Sequence, residues 1–241
     1  RDNIPFYVSA PQAERALLEQ VIGTDGYTFV ADEELYKIQR PMAGWEQQML
    51  IKMGATFVLP THNILVIDSD SFFVRDFYET DFIAYDNVPY TIIHENKQVA
   101  EYEAALKGGT YSETGYAKAV RAYRELFGAK SNRIYDYGPN PHLWSTKVFK
   151  HMKDNYLDPN ELSLETLSLA IKQQYGIHFR EPLTYGEYLL ATNCIPIIPS
   201  GPLFKVYHWR EMHEFEQGTG LETLENIQKN YLGIIMQSNW T

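Results

Sequence analysis

Asn63-Ile64-Leu65-Val66-Ile67 is an apolar run too short for a free helix, and it ends in two carboxylates, Asp68-Ser69-Asp70. Such a run reads as a strand buried on both faces, as in the middle of a parallel sheet. Helix and strand signals alternate around it, which predicts an α/β layered fold. Upstream, Ile4–Ser9 is β-rich. Ser9 is a cap candidate for a helix with Pro11 in its first turn. Tyr27–Ala31 reads as a strand, and Asp32 as the cap of a short helix through Leu35 and Ile38. Trp45, Met49, Met53 and Phe57 recur every four residues, which puts them on one helical face aimed at a core, with Gln47-Gln48 off that stripe.

Downstream, Thr91–His94 reads as a strand. Residues 98–128 read as mainly helical but polar, broken at Gly108-Gly109. Asp136-Tyr137-Gly138-Pro139-Asn140-Pro141 is a rigid turn region. Residues 145–155, 161–175 and about 221–231 read as helices; 195–199, 204–208 and 233–237 read as extended. There is no repeat, low-complexity tract or linker, so a single domain over 1–241 is expected.

Hydrophobic residues make up 44% of the 241, enough for one substantial core and against disorder. Lys and Arg number 21 against 31 acids, a net charge of −10. That balance opposes a general nucleic-acid binder, which needs a cationic footprint. It suits a chain that handles anions through a bound cation, because the ion reverses the local field. No apolar stretch approaches the ~18 residues of a membrane span, and no basic amphipathic stretch stands out. The sole cysteine, Cys194, has no internal partner for a disulfide, so a reducing, cytoplasmic location is expected. Asn239-Trp240-Thr241 matches the N-glycosylation pattern, a tripeptide that arises often by chance. The chain opens at Arg1 without a signal-like segment and reads as part of something longer.

In open α/β sheets, ligands bind at the carboxyl ends of strands. Two carboxylates there offer oxygen ligands to a hard divalent cation. Mg²⁺ or Mn²⁺ so bound would bridge a diphosphate and neutralise the charge that develops as it leaves. The bland alternative is that Asp68 caps a turn and Asp70 is solvated. Arg75 and Lys205 are candidates for neutralising a phosphate; Arg75 would equally pair with Asp76.

Asp68-Ser69-Asp70 after its apolar strand resembles the Asp-x-Asp motif of GT-A-fold glycosyltransferases. Gly44-Trp45-Glu46-Gln47-Gln48, Tyr90-Thr91-Ile92-Ile93-His94-Glu95, Tyr185-Gly186-Glu187-Tyr188 and Gln237-Ser238-Asn239-Trp240 extend the likeness over nearly the whole chain. Together they resemble a largely uncharacterised family from bacterial polysaccharide and lipopolysaccharide gene clusters, with GT-A-like members. The resemblance implies a Rossmann-related, mixed but mostly parallel central sheet flanked by helices. Ile4–Ser9 looks like its second strand, so the first would lie outside this chain. It also implies a nucleotide-sugar donor, held by Mn²⁺ or Mg²⁺ and by Asp68, Ser69, Asp70 and Lys205. His208, in Phe204-Lys205-Val206-Tyr207-His208-Trp209, would be the third metal ligand, with His213 its rival. An imidazole beside two carboxylates is a reasonable Mn²⁺ shell.

Inverting sugar transfer needs a general base near the acceptor hydroxyl. Thr184–Leu189 looks like the Gly-Glu-Asp segment of inverting GT-A enzymes, in which an acid at a helix start faces the acceptor. Glu187 matches the first acid, and Tyr188 departs from the second. Glu95 and Asp136 are rivals for the base. On the acceptor side, Tyr137 and Trp144 offer flat faces to a sugar, with Asn140 between them. Trp144 would equally fill a core beneath the loop.

The acceptor would be a glycan or a lipid-linked sugar in surface polysaccharide synthesis, with peripheral contact at the inner face of the membrane. A haloacid-dehalogenase-type phosphatase using Asp68 and Asp70 is one rival, weakened by the lack of a downstream Gly-Asp pair. The other is a non-enzymatic glycan-binding module stacking sugars on Tyr137, Trp144 and Trp209, with Ca²⁺ at the acidic pair.

Overall fold

A computed structural model describes residues 4–95, 114–138, 141–207, 210–219 and 223–236. In chain order the elements are β1 (Tyr7–Ala10), α1 (Arg15–Ile22), β2 (Thr28–Ala31), α2 (Asp32–Leu35) and α3 (Gly44–Val58). Next come β3 (Asn63–Val66), β4 (Ser71–Phe73), β5 (Ile83–Tyr85), β6 (Val88–Pro89), β7 (Thr91–Ile92), α4 (Gly115–Phe127) and β8 (His142–Ser145). The last are α5 (Thr146–Met152), α6 (Leu164–Tyr175), α7 (Glu181–Thr192), β9 (Pro199–Ser200), β10 (Phe204–Tyr207), α8 (Arg210–Thr219), α9 (Leu224–Asn230) and β11 (Gly233–Met236). The fold is mixed α/β with small sheets. Both parallel pairs (β1–β2, β7–β9, β10–β11) and antiparallel pairs (β3–β8, β4–β11, β5–β6) occur. Among the described residues no helix is long and apolar enough to cross a membrane. The chain divides into two compact units, residues 1–62 with 146–181, and residues 63–145 with 182–241.

In the first unit, β1 and β2 pair in parallel from Tyr7↔Thr28 to Ala10↔Ala31, with α1 as the connection. Asp32 is the first residue of α2 rather than its cap, and its carboxylate accepts the Ser9 hydroxyl. Helix α3 turns part of the face predicted by its four-residue repeat inward: Met53 is fully buried, and Met49 and Phe57 are half-buried. Leu50, Met53 and Gly54 are buried, whereas Trp45 is 43% exposed and meets the His178 ring edge-on. The reason is close packing on α2. The Leu35 carbonyl lies so near Gly54 that a Cβ would not fit, and this approach orients the helix. Helix α6 starts at a Ser163 cap whose hydroxyl accepts the Thr166 N–H, and it ends at Gly176 with φ 66°. Buried Glu165 on α6 accepts the Gln39 and Arg40 N–H groups at 2.8 and 3.3 Å, pinning the segment before α3.

The second unit holds the acidic pair. The sequence places β3 in the middle of a parallel sheet, buried on both faces. Instead it pairs antiparallel with β8, from Asn63↔Ser145 to Val66↔His142, and its residues are half-buried. One face suffices, because Leu65 packs on a core of Phe82, Ile92, Leu143, Phe204, Leu232 and Ile235. The sheet β10–β11–β4 borders the same core. Phe204 and Ile235 point into it, while Tyr207 and Ile234 turn the other way onto Ile227 of α9. Between β5 and β6, Asp86 and Asn87 take φ of 47° and 59°, the two-residue hairpin that Asx residues favour. Helix α4 starts where the Thr114 hydroxyl accepts the Ala117 N–H and ends at Gly128 with φ 76°.

Candidate functional site

The acidic pair sits in a tight turn between two strands of the second unit. Ser71 N–H donates to the Asp68 carbonyl at 3.1 Å, and β4 starts at once. Met236 N–H then donates to the Asp70 carbonyl at 3.1 Å. The carboxylate residues Asp68 and Asp70 are half-buried and Ser69 is exposed. Because Tyr207 pairs with Met236, Asp70 and Tyr207 flank the same β11 residue. Two strand spacings put their backbones about 10 Å apart. Tyr207 precedes His208 in the sequence; His208 itself lies outside the described residues, as do Trp209 and 237–241. Among the described residues no three His, Cys, Asp or Glu side chains converge on one point. Asp68 and Asp70 therefore supply two hard oxygen donors, and a third protein ligand would have to come from elsewhere.

The neighbouring cations are already engaged. Lys205 Nζ lies 3.0 Å from both carboxylate oxygens of Glu216, with its side chain 12% exposed. Arg75 Nη2 is 3.5 Å from Asp81 Oδ1, and its Nη1 donates to the Asp76 carbonyl. His213, the rival third ligand, packs edge-on against the Tyr207 ring at 4.8 Å, with its Nε2 2.8 Å from Gln217 Nε2. A cavity of about 370 Å³ opens beside it, lined mainly by apolar side chains including Phe72, Ile227, Ile234 and Met236.

Glu187 is not at a helix start. Helix α7 begins with Glu181-Pro182, where a proline in the first turn costs no hydrogen bond, so Glu187 falls in its middle. It is fully buried. Arg124 donates to it twice, from Nε to Oε2 at 3.0 Å and from Nη2 to Oε1 at 2.7 Å. The Tyr137 hydroxyl donates to Oε1 at 2.8 Å, and Arg124 Nη1 continues to the Ser131 carbonyl at 2.7 Å. Burial works against the Arg124 charge, but the hydrogen bonds and negative charge of Glu187 outweigh it and raise its pKa above the usual arginine value. Burial, then the Glu187 charge, pushes the Tyr137 phenol far above the usual tyrosine range. Both Glu187 oxygens thus carry donors, and no face is open to an acceptor hydroxyl. In this geometry Glu187 ties α4, α7 and the Tyr137 segment together.

The two aromatics expected to receive a sugar are also interior. Tyr137 is 5% exposed, and Gly186 lies against its ring so closely that a Cβ would overlap it. Trp144 is 2% exposed, stacked on His142 at 4.9 Å with Tyr185 beside it. Burial raises the Tyr185 phenol well above its usual range, while its oxygen accepts the Ser145 N–H. Neither Tyr137 nor Trp144 presents a stacking face, because each strand or turn that carries it points it at the core. Asn140 lies outside the described residues. The rival bases remain accessible in part. Glu95 is 3.4 Å from Arg133, and half-buried Asp136 accepts the Gly138 N–H at 3.0 Å.

A family model described as a family of unknown function, DUF6492, matches residues 4–219. The chain belongs to DUF6492. No curated protein sequence matches it. The DUF6492 match spans both units and includes the Asp68–Asp70 turn, the Arg124–Glu187–Tyr137 cluster and Tyr207. Two residues of this DUF6492 chain escape sequence reasoning. Arg124 shares one face of α4 with buried Ala117, Val120 and Tyr123, and a charge on an apolar stripe demands a buried partner. His94 ends the β7 run opposite Asp136, where its backbone exchanges hydrogen bonds at 2.7 and 3.0 Å.

Proposed function

We propose that the chain is a GT-A-type glycosyltransferase, moving a sugar from a nucleotide-sugar donor to a glycan or lipid-linked acceptor in surface polysaccharide synthesis. The observation that carries this reading is the Asp68-Ser69-Asp70 turn at the carboxyl end of β3, fixed against β11 one strand from the end of β10. That arrangement supports Asp68 and Asp70 as holders of Mg²⁺ or Mn²⁺, with His208, next after Tyr207, as the third ligand. When bound, the ion supplies positive charge against the departing diphosphate. The exposure of Ser69 at the tip of the turn supports it as a contact to the donor. Lys205 reaches a phosphate only by exchanging Glu216 for it.

The buried Glu187 leaves the proton-accepting role to a group elsewhere in the second unit. The interior positions of Tyr137 and Trp144 weigh against the glycan-stacking module and leave acceptor contacts to other residues.

Thermal shift with UDP, GDP, ADP and dTDP, each with Mn²⁺ or with chelator, tests the reading. The expected result is stabilisation by at least one diphosphate only with Mn²⁺, lost in Asp70→Ala. Mn²⁺-dependent release of phosphate from a phosphomonoester without nucleotide binding would instead favour the phosphatase.

A further inference from the structure

One face of the β10–β11–β4 sheet carries the cavity of about 370 Å³, a volume within the range of small-ligand sites. Tyr207 of β10, Ile234 and Met236 of β11 and Phe72 of β4 line it from the sheet. The register accounts for that grouping. Tyr207 stands opposite Met236 and Ile234 opposite Phe72, so all four fall on one side of the sheet. Helices α8 and α9 wall the cavity with His213, Leu224 and Ile227. Phe72 and Leu224 also reach solvent, at 49% and 54% exposure, so apolar surface runs from the cavity to the outside.

The acidic turn joins this face within the same sheet. The Met236 N–H donates to the Asp70 carbonyl at 3.1 Å, which continues the β4–β11 ladder past the Ile234–Phe72 pair. Asp70 is thus the next position in the row that holds Phe72, about 7 Å along the strand. In the other direction that row reaches Val74, which packs on Tyr207, Ile227 and Ile234.

The chemistry of the lining selects the occupant. Among the described residues no lysine, arginine or carboxylate lines the cavity. His213 Nε2 and Gln217 Nε2 lie 2.8 Å apart, bonded to each other, and the imidazole stands edge-on to Tyr207. A nucleobase or a sugar seated here would bury N–H, O–H and C=O groups against Phe72, Ile234 and Met236, and unpaired polar groups oppose binding. A hydrocarbon chain has no such groups and gains with every methylene that leaves water.

We infer that this cavity holds the hydrocarbon chain of a lipid-linked acceptor, with the acceptor's sugar toward the Asp68–Asp70 turn. The inference rests on the glycosyl-transfer reading above and decides between its two acceptor classes.

The test titrates the protein with methyl, butyl, hexyl and octyl β-glucosides by calorimetry, each below its micelle concentration. Every methylene that enters the cavity should tighten binding about fourfold. Leu224→Asp puts a carboxylate at the mouth and Phe72→Ser removes apolar lining, both at half-exposed positions that the fold tolerates. Each should weaken octyl glucoside at least about tenfold. Both should keep the parent's Mn²⁺-dependent thermal shift with the nucleoside diphosphate that stabilises the parent. Equal affinity along the series, or a chain-length dependence unchanged in both variants, would overturn the inference and leave the glycosyl-transfer reading standing. Loss of the diphosphate shift in both variants would overturn it too, by giving the cavity to the donor's base. A chain-length dependence in a parent that binds no diphosphate with Mn²⁺ would remove the reading and the acceptor role with it.

Discussion

Replacing Glu187 by Gln separates a structural carboxylate from a catalytic one. The carboxylate is fully buried and receives three hydrogen bonds, two of them from a guanidinium whose side chain is only 10% exposed. Glutamine keeps the shape but removes the charge, and it turns an amide N–H₂ toward one of the donors. Breaking a buried ion pair by removing one partner costs about 3–5 kcal/mol. Arg124 keeps its bond to the Ser131 carbonyl and a little solvent, so the lower end, about 3 kcal/mol, is expected. For a chain of this length that is a fall in melting temperature of roughly 6–12 °C. Arg124→Met combined with Glu187→Met should lose less than Glu187→Gln alone, because the double variant leaves no buried charge unmatched. Its residual cost is the Tyr137 hydroxyl, left without its acceptor. Thermal melts of the parent and the two variants are the assay. A Glu187→Gln protein that melts within ~2 °C of the parent yet loses all donor turnover would refute the reasoning and return Glu187 to the role of base.

Gly186→Ala should destabilise by about 1–3 kcal/mol, since the new Cβ overlaps the Tyr137 ring, although Gly→Ala inside a helix is otherwise favourable; urea denaturation gives the sign. The Tyr137 phenol, raised far above its usual value, should stay protonated in the folded protein at pH values where the unfolded chain has ionised. Its stabilising contribution is complete below about pH 10 and is lost as pH climbs from there toward the folded-state value. Melts at rising alkaline pH should therefore show a steeper loss for the parent than for Tyr137→Phe. Asp70→Ala should abolish Mn²⁺-dependent binding of nucleoside diphosphate and leave the melting temperature of the free protein nearly unchanged, which calorimetry on one sample measures.

The parts of the fold carried by local chemistry are legible in the sequence. The helix read over 161–175 matches α6 within a few residues, the helical reading of 98–128 ends where α4 ends, and Asp68–Asp70 follow a short strand as read. What escapes depends on partners distant along the chain. The four-residue spacing of Trp45, Met49, Met53 and Phe57 finds buried Met53, but it carries no trace of the burial of Leu50 or of Gly54, which packs under the Leu35 carbonyl. The direction of β3 depends on β8, almost eighty residues on. Glu187 reads as a reactive acid because its motif is short and local. Its burial is decided by Arg124 and Tyr137, whose ends converge on it from two other segments. Trp144 and Tyr137 share that ambiguity, since an aromatic ring that suits a sugar suits a core equally well.

The most direct measurement is a crystal soaked with Mn²⁺ and the nucleoside diphosphate that gives the largest thermal shift, recorded at a wavelength where manganese scatters anomalously. The account predicts one strong peak in contact with the carboxylate oxygens of Asp70, with the diphosphate on its open side and Asp68 touching the ion or its waters. A diphosphate bound away from the Asp68–Asp70 turn, or a turn whose carboxylates carry no manganese while the ligand is in place, would contradict it.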